Sequence, residues 1–225
     1  MTAREIIIAI AGILIAAAAS GQPRDWANFG RYSKQNDEIA GHKVNAVFMG
    51  NSITDNWARL DPEFFSSHGF VGRGISGQTT SEMLVRFRRD VLDLEPEAVA
   101  ILAGINDIAQ NNGYISLENT FGNIVSMCEL AKAHRIKVII CSTLPCDRLS
   151  WRPEIKPAEQ VKELNAMLKD YADRNRILFV DYWSVMANGN GGLDKEISGD
   201  GCHPNIDGYE IMEKTFLDAT RRFKW

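Results

Sequence analysis

The stretch Val44-Asn45-Ala46-Val47-Phe48-Met49-Gly50-Asn51-Ser52 decides the fold, because an apolar run ends there in a short polar segment. A nearly continuous apolar run of this length predicts a strand buried on both faces, as in a parallel sheet. Comparable runs follow at residues 99–103, 138–142 and 177–180, and a shorter one lies at residues 70–71. The sequence therefore predicts several buried parallel strands.

Amphipathic stretches separate these runs, with apolar residues three or four positions apart, which is the spacing of one helix face. The stripes are Leu84, Phe87, Val91 and Leu94; Leu117, Phe121, Ile124, Cys128 and Ala131; Val161, Leu164, Leu168 and Tyr171; and Tyr209, Met212, Phe216 and Ala219. Thr79 and Glu82 form a capping-box pattern before the first stripe. Strands that alternate with helices predict an α/β fold, a three-layer α/β/α sandwich.

The segment 26–39 precedes the first predicted strand and is rich in aromatic residues. We predict that it is helical and covers the sheet with Trp26, Phe29 and Tyr32. Aromatic side chains in such a segment are interpreted as packing residues rather than binding residues.

Three polar segments lie where ligands bind in such folds, beyond the carboxyl ends of the strands. They are Gly50-Asn51-Ser52-Ile53-Thr54, Gly104-Ile105-Asn106-Asp107 and Asp200-Gly201-Cys202-His203-Pro204. An Asp three residues before a His can hold the imidazole, which gives the base and its orienter in a serine hydrolase. We interpret Ser52 as the nucleophile, His203 as the base and Asp200 as the orienter. The alternative role of Ser52 is a helix N-cap.

Acyl transfer also requires hydrogen-bond donors for a developing oxyanion. The side-chain amide of Asn106 and the backbone N–H groups of Ser52 and Gly77 are the candidates. An Asx turn or helix cap at Asn106-Asp107 and a plain turn at Gly77 are the alternatives. Thr54 occupies the last position of a G-x-S-x-G pattern, so the segment is not the nucleophile elbow of an α/β-hydrolase.

Together, and in this order, these motifs resemble the SGNH, or GDSL, family of serine esterases and lipases. The resemblance covers the chain from about Val44 to the C-terminus. It implies a flavodoxin-like fold with a five-stranded parallel sheet. It also implies the catalytic residues Ser52, Asp200 and His203 and an oxyanion hole formed by Ser52, Gly77 and Asn106. The family's usual Gly-Asp-Ser is Gly-Asn-Ser here, and the Asn removes a charge that none of these roles uses.

Four further residues are candidates for contact with substrate, namely Trp57, Arg73, Ile105 and Arg152. Trp57 could wall the pocket or be a half-buried helix aromatic. Arg73 and Arg152 could contact polar substrate groups or be structural or solvated. The segment 144–157 contains three Pro, one Trp and two Arg, and it follows a predicted strand, so we expect it to rim the site.

The N-terminus differs from the rest of the chain, because residues 6–19 are apolar throughout. This run is too short to span a bilayer comfortably but fits the apolar region of a signal peptide. We predict a signal peptide over residues 1–20, a single domain over residues 21–225, and export to the periplasm or the exterior. An uncleaved anchor and a buried helix are the alternatives.

The charge of the chain bears on its binding partners, and the spacing of its cysteines bears on metal sites and disulfides. The chain has 25 Lys and Arg against 29 Asp and Glu, for a net charge of -4, so we expect no nucleic acid as a partner and, after cleavage of the signal peptide, no stable membrane partner. No spacing suggests a zinc site, and no metal or organic cofactor is implied. Of the four cysteines, Cys141 and Cys146 could pair across a turn, which the sequence leaves open. Cys128 fits a core position, and Cys202 has no second base to activate it.

These observations predict an exported serine esterase that hydrolyses small O-acyl esters through an acyl-enzyme. The family resemblance suggests acetylated carbohydrates as substrates first. A lysophospholipase or a lipid esterase similar to platelet-activating-factor acetylhydrolase is the alternative. An acyltransferase would use the same residues, and a non-catalytic carbohydrate-binding protein on the same scaffold is a further alternative.

Overall fold

The computed structural model describes residues 25–223 and Trp225. Its strands, which all run parallel, are β1 (Ala46–Gly50), β2 (Phe70–Gly74), β3 (Ala98–Leu102), β4 (Lys137–Cys141) and β5 (Leu178–Val180). In the described part of the chain they form one five-stranded sheet with the order β2-β1-β3-β4-β5. This is the flavodoxin-like order, and it confirms the predicted α/β fold.

The helices lie before, between and after the strands. They are α1 (Ser33–Ile39), α2 (Ser52–Leu60), α3 (Pro62–Ser67), α4 (Thr80–Asp90), α5 (Ile105–Ile108), α6 (Leu117–Ala133), α7 (Ala158–Asn175), α8 (Tyr182–Met186) and α9 (Ile206–Thr220). The predicted capping box is present at the start of α4, where the Glu82 carboxylate accepts the backbone N–H of Thr79 at 2.8 Å. The apolar stripes of the four long helices pack into the core.

Phe48, at the centre of β1, organises the packing on one face of the sheet. Its ring contacts the rings of Trp57 on α2, Phe64 on α3 and Phe216 on α9, with centroid distances of 4.7–6.4 Å. Large aromatic side chains dominate the apolar area that a core buries. The helix that begins at Ser52 and the helix that follows the His203 loop are therefore fixed against the same strand residue.

The strands end in register at the edge where the polar segments emerge. Gly50 at the end of β1 is paired with Gly74 of β2 and with Leu102 of β3. A Cβ at position 50 would lie 2.1 Å from the Thr54 hydroxyl oxygen and 3.1 Å from the Leu102 carbonyl oxygen. Only glycine fits this approach, and it brings the start of α2 directly over the sheet edge.

The segment 26–39, which includes α1, differs from the prediction. Only its second half, from Ser33, is helical, because Asn28 adopts a left-handed conformation (φ 55°) and the Asp25 carboxylate accepts the backbone N–H groups of Phe29 and Gly30. Tyr32 is buried as expected. Trp26 and Phe29 are exposed, so the prediction that they cover the sheet is wrong.

The predicted signal peptide, residues 1–20, lies outside the described residues. Among residues 25–223 and Trp225, no helix has the length and apolar character that a membrane crossing requires.

Candidate active site

The start of α2 presents Ser52 at the sheet edge. Asn51 is the N-cap, and its side-chain oxygen accepts the backbone N–H of Ile53 at 3.3 Å. Capping is therefore performed by Asn51, and the alternative role of Ser52 as the N-cap is wrong. An amide oxygen can fill this role as well as a carboxylate can, which explains how an Asn is accommodated before Ser52.

Ser52, His203 and Asp200 form a continuous line of hydrogen bonds. The Ser52 Oγ lies 2.8 Å from His203 Nε2, and His203 Nδ1 lies 2.7 Å from Asp200 Oδ2. Both distances fall within the range of good hydrogen bonds. A proton on Nδ1 that faces Asp200 leaves Nε2 as the acceptor for the Ser52 hydroxyl proton, which is the tautomer that a general base needs.

The Asp200 carboxylate is held by its own loop. Its Oδ1 accepts the backbone N–H groups of Cys202 at 2.9 Å and His203 at 2.8 Å. Partial burial raises the pKa of Asp200, but hydrogen bonds from the backbone and imidazole of His203 and from the Cys202 N–H outweigh it, so the net pKa is lowered. The carboxylate stays ionised and can stabilise an imidazolium.

The three candidate oxyanion donors belong to residues that line one cavity. The Ser52 N–H belongs to the first residue of α2 and has no acceptor within its own helix. Gly77 adopts a left-handed conformation (φ 83°) in the loop before α4. Asn106, on α5, is 2% exposed and lines the same cavity as Ser52 and Gly77. The structure thus brings together all three predicted contributors to the oxyanion hole.

The Asn106 amide is fixed by one of its two N–H groups. Its Nδ2 donates to the Gln78 carbonyl oxygen at 2.9 Å. A side-chain amide carries two N–H groups, so one remains for an oxyanion. The next residue, Asp107, accepts the backbone N–H and the hydroxyl of Thr80 and so ties α5 to α4. Burial raises the pKa of Asp107 to about 6, although the bonds from Thr80 oppose this.

Replacement of Asn106 by alanine tests the third donor. We expect kcat to fall by about 10²–10³-fold with a small change in KM, because this donor acts mainly on the charge that develops in the transition state. Asn175→Ala, at an exposed position at the end of α7, is the matched control. An unchanged kcat in Asn106→Ala, measured by steady-state kinetics on an acetyl ester, would remove Asn106 from the oxyanion hole.

Arg86, which the sequence did not single out, is fully buried beneath the site. Its guanidinium donates to the Gly50 carbonyl oxygen at 3.0 Å, to the Gln78 side-chain oxygen and to the Asp90 carboxylate. It therefore joins the end of β1 to the loop that carries Gly77. A charged residue on a helix face normally predicts exposure, so the sequence alone carried no signal for this role.

The substrate contacts predicted for Trp57, Arg73 and Ile105 are wrong. Trp57 is 1% exposed within the aromatic cluster around Phe48, and its indole N–H donates to Glu213 at 2.9 Å. Arg73 is buried, donates to the Asn36 side chain and lies over the Tyr32 ring. Ile105 is buried in the core. None of the three lines the cavity at Ser52.

The segment 144–157 reaches the site through Trp151 and not through Arg152. The Trp151 ring lies 5.9 Å from the His203 ring, centroid to centroid. Trp151 lines the cavity, whereas Arg152 does not, and its nearest carboxylate is Glu154 at 4.0 Å. The prediction that this segment rims the site is therefore correct, but the residue predicted to contact substrate, Arg152, is the wrong one.

The cavity at Ser52 is small, at about 230 Å³. Its lining residues are Ser52, Gly77, Asn106, Asn111, Trp151 and His203. A larger hollow of about 500 Å³ lies beside α7 and β5, but no histidine is among its lining residues. The smaller of the two cavities is therefore the candidate active site, because it contains the Ser52–His203 pair.

The cysteines and potential metal ligands lie apart from this chemistry. All four cysteines are free and buried, Cys141 and Cys146 included. A hydrogen bond from Cys146 and burial raise the pKa of the Cys202 thiol well above its ordinary value, so this thiol is a poor nucleophile. Within residues 25–223 and Trp225, no group of three or more His, Cys, Asp or Glu side chains is arranged to hold a metal ion.

Comparison with known proteins identifies the family. The profile of the GDSL-like Lipase/Acylhydrolase family matches residues 48–211. A GDSL-like lipase from Bacteroides thetaiotaomicron has a crystal structure similar to this one, with a TM-score of 0.85 and 45% identity. The alignment covers 88% of this chain and 99% of that chain.

Two curated proteins are more distant. Acetylxylan esterase from Geobacillus stearothermophilus is 23% identical over 218 residues, which cover 83% of this chain and 96% of that protein. The lipoprotein YqeF from Bacillus subtilis is 26% identical over 140 residues, which cover 54% of this chain and 58% of that protein. The family profile spans more than half of the 225 residues and includes Ser52, Asn106 and His203. The chain therefore belongs to the GDSL-like Lipase/Acylhydrolase family of serine ester hydrolases.

Proposed function

We propose that this chain hydrolyses short-chain O-acyl esters, acetyl esters of carbohydrates above all, through an acyl-enzyme on Ser52. The observation that carries the proposal is the line from Ser52 Oγ through His203 to Asp200, with distances of 2.8 and 2.7 Å, in a cavity that also holds Gly77 and Asn106. This arrangement supplies a nucleophile, a base and oxyanion donors in one place.

The reaction proceeds in two halves. In the first, Ser52 Oγ bonds to the ester carbonyl carbon while His203 Nε2 takes the hydroxyl proton, and Asp200 stabilises the imidazolium. The N–H groups of Ser52, Gly77 and Asn106 stabilise the carbonyl oxygen as it becomes an oxyanion. His203 then gives its proton to the alcohol oxygen, the C–O bond breaks, and the acyl group remains on Ser52.

In the second half, water replaces the alcohol. His203 takes a proton from the water as its oxygen attacks the acyl carbon, and the same three donors stabilise the second oxyanion. Collapse of this intermediate returns the proton to Ser52 Oγ and releases the carboxylic acid. If a sugar hydroxyl attacks instead of water, the same residues perform acyl transfer, which product analysis distinguishes from hydrolysis.

The size of the cavity supports a short acyl group. Its volume of about 230 Å³ is below the range of about 300–1,000 Å³ that is typical of pockets for larger ligands. Acetylxylan esterase among the relatives supports a carbohydrate as the alcohol. The apolar run at residues 6–19 and the similarity to a lipoprotein support export. N-terminal sequencing of the protein isolated from its native cells tests removal of residues 1–20, which an intact Met1 would exclude.

A series of esters of one alcohol tests the predicted acyl length. From acetyl to octanoyl we expect kcat/KM to fall by about tenfold or more, because each added methylene must be placed outside the small cavity or against its walls. The measurement is steady-state hydrolysis, with the spontaneous rate of each ester subtracted. A kcat/KM that rises with acyl length would exclude the acetyl esterase and favour the lipid esterase.

A further inference from the structure

Trp151 and Asn111 form a hydrogen-bonded pair at the mouth of the active-site cavity. The indole Nε1 of Trp151 donates to Asn111 Oδ1 at 2.9 Å, and Asn111 Nδ2 donates to the Gly77 carbonyl oxygen at 3.3 Å. The pair thus connects the rim segment 144–157 to the loop that carries an oxyanion donor. Trp151 is 38% exposed, so part of its ring is open to a bound molecule.

The position of the indole identifies which part of the substrate it meets. His203 protonates the departing alcohol, so the alcohol must lie beside the imidazole. The Trp151 ring lies 5.9 Å from the His203 ring, at an angle of 38° between their planes. The indole therefore borders the space that the alcohol occupies, whereas Ser52, Gly77 and Asn106 surround the reacting carbonyl group.

The Trp151 indole gives this side of the cavity a flat, uncharged surface. The indole N–H is already bonded to Asn111, so the ring offers its apolar face. The six residues that line the cavity include no Lys, Arg, Asp or Glu. Asn111 uses one amide N–H on Gly77 and retains a second for a hydroxyl group. A neutral sugar ring has the matching features, because it presents C–H bonds on its face and hydroxyl groups at its edge.

We propose that Trp151, held in place by Asn111, is the platform on which the sugar ring of an acetylated carbohydrate packs, and that it determines specificity for the alcohol. This proposal rests on the proposed esterase function. A cationic alcohol such as choline could also stack on an indole, and the experiment below includes it as a separate outcome.

Three acetyl esters separate these possibilities, namely an acetylated neutral pyranoside, ethyl acetate and acetylcholine. In Trp151→Ala we expect KM for the pyranoside to rise about tenfold with a smaller change in kcat, because the platform binds the sugar in both the ground and transition states. The ratio of kcat/KM for the pyranoside to that for ethyl acetate should fall by a similar factor. Trp151→Phe, which keeps an aromatic face, should restore most of this ratio.

Trp26→Ala removes an exposed Trp in the segment before α1 and is the matched control. Fluorophosphonate labelling of Ser52 in each variant reports whether the reactive serine is retained. Equal losses of kcat/KM on the pyranoside and ethyl acetate would overturn the proposal by assigning Trp151 to the positioning of His203. A larger loss on acetylcholine than on the pyranoside would overturn it in favour of a cation site. Absence of Ser52-dependent hydrolysis of every ester by the parent protein would overturn both this proposal and the proposed function.

Discussion

Replacement of Ser52 by alanine is expected to lower kcat for an acetyl ester by about 10⁴-fold or more. The hydroxyl is the hydrogen-bond partner of His203 Nε2, at 2.8 Å, and without it no acyl-enzyme forms. Residual hydrolysis would come from the oxyanion donors and from water activated by His203. The measurement is steady-state turnover of a chromogenic acetyl ester at saturating substrate.

The fold should tolerate this substitution. Asn51 and not Ser52 caps α2, so Ser52→Ala removes no capping bond, and alanine is favourable within a helix. The thermal unfolding midpoint should therefore remain close to that of the parent. Ser66→Ala, at an exposed position on α3, is the matched control and should retain full turnover. Turnover by Ser52→Ala equal to that of the parent would exclude Ser52 as the nucleophile.

Replacement of His203 by alanine is expected to have an effect of the same order and to abolish labelling of Ser52 by a fluorophosphonate probe. A serine hydroxyl is a weak nucleophile unless a base accepts its proton, and His203 is the base within reach. Because the two residues act as one unit, the double variant Ser52→Ala/His203→Ala should be no slower than either single variant.

A matched histidine controls for general effects of the substitution. His134 lies on the surface at the end of α6, where its ring contacts the Leu130 carbonyl oxygen. Labelling of Ser52 in His134→Ala should match that in the parent. Gel-based labelling over time gives the rate for each variant. Labelling of His203→Ala at the parent rate would show that another group activates Ser52.

The arrangement of the site could be predicted because parallel strands fix it. Buried apolar runs predicted the strands, and parallel strands place their carboxyl ends at a common edge. Ser52 and Asn106 follow adjacent strands and therefore had to be neighbours, whereas the Asp200–His203 loop follows no strand and reaches Ser52 through His203. The register that aligns Gly50 with Leu102 brings Ser52 and Asn106 close together.

The errors concern residues whose direction depends on tertiary packing. Trp57 follows Ser52 by five residues, and at about 100° per residue it points about 140° away around the helix, towards Phe48. Arg86 carries a charge that predicts exposure, yet its buried guanidinium donates to four acceptors. Trp151 lies in a segment without periodicity, so its contact with His203 depends on loop conformation, which the sequence pattern does not specify.

In the proposed mechanism the acyl group passes through Ser52. Rapid mixing of the parent protein with excess acetyl ester, acid quenching, and mass spectrometry of the proteolytic peptides test it directly. We expect one acetyl group on the peptide that contains Ser52, formed within one turnover and absent in Ser52→Ala. An acetyl group on a residue other than Ser52 would contradict this mechanism. Steady turnover with no acetylated peptide on this time scale, in the parent protein and in Asn106→Ala alike, would also contradict it.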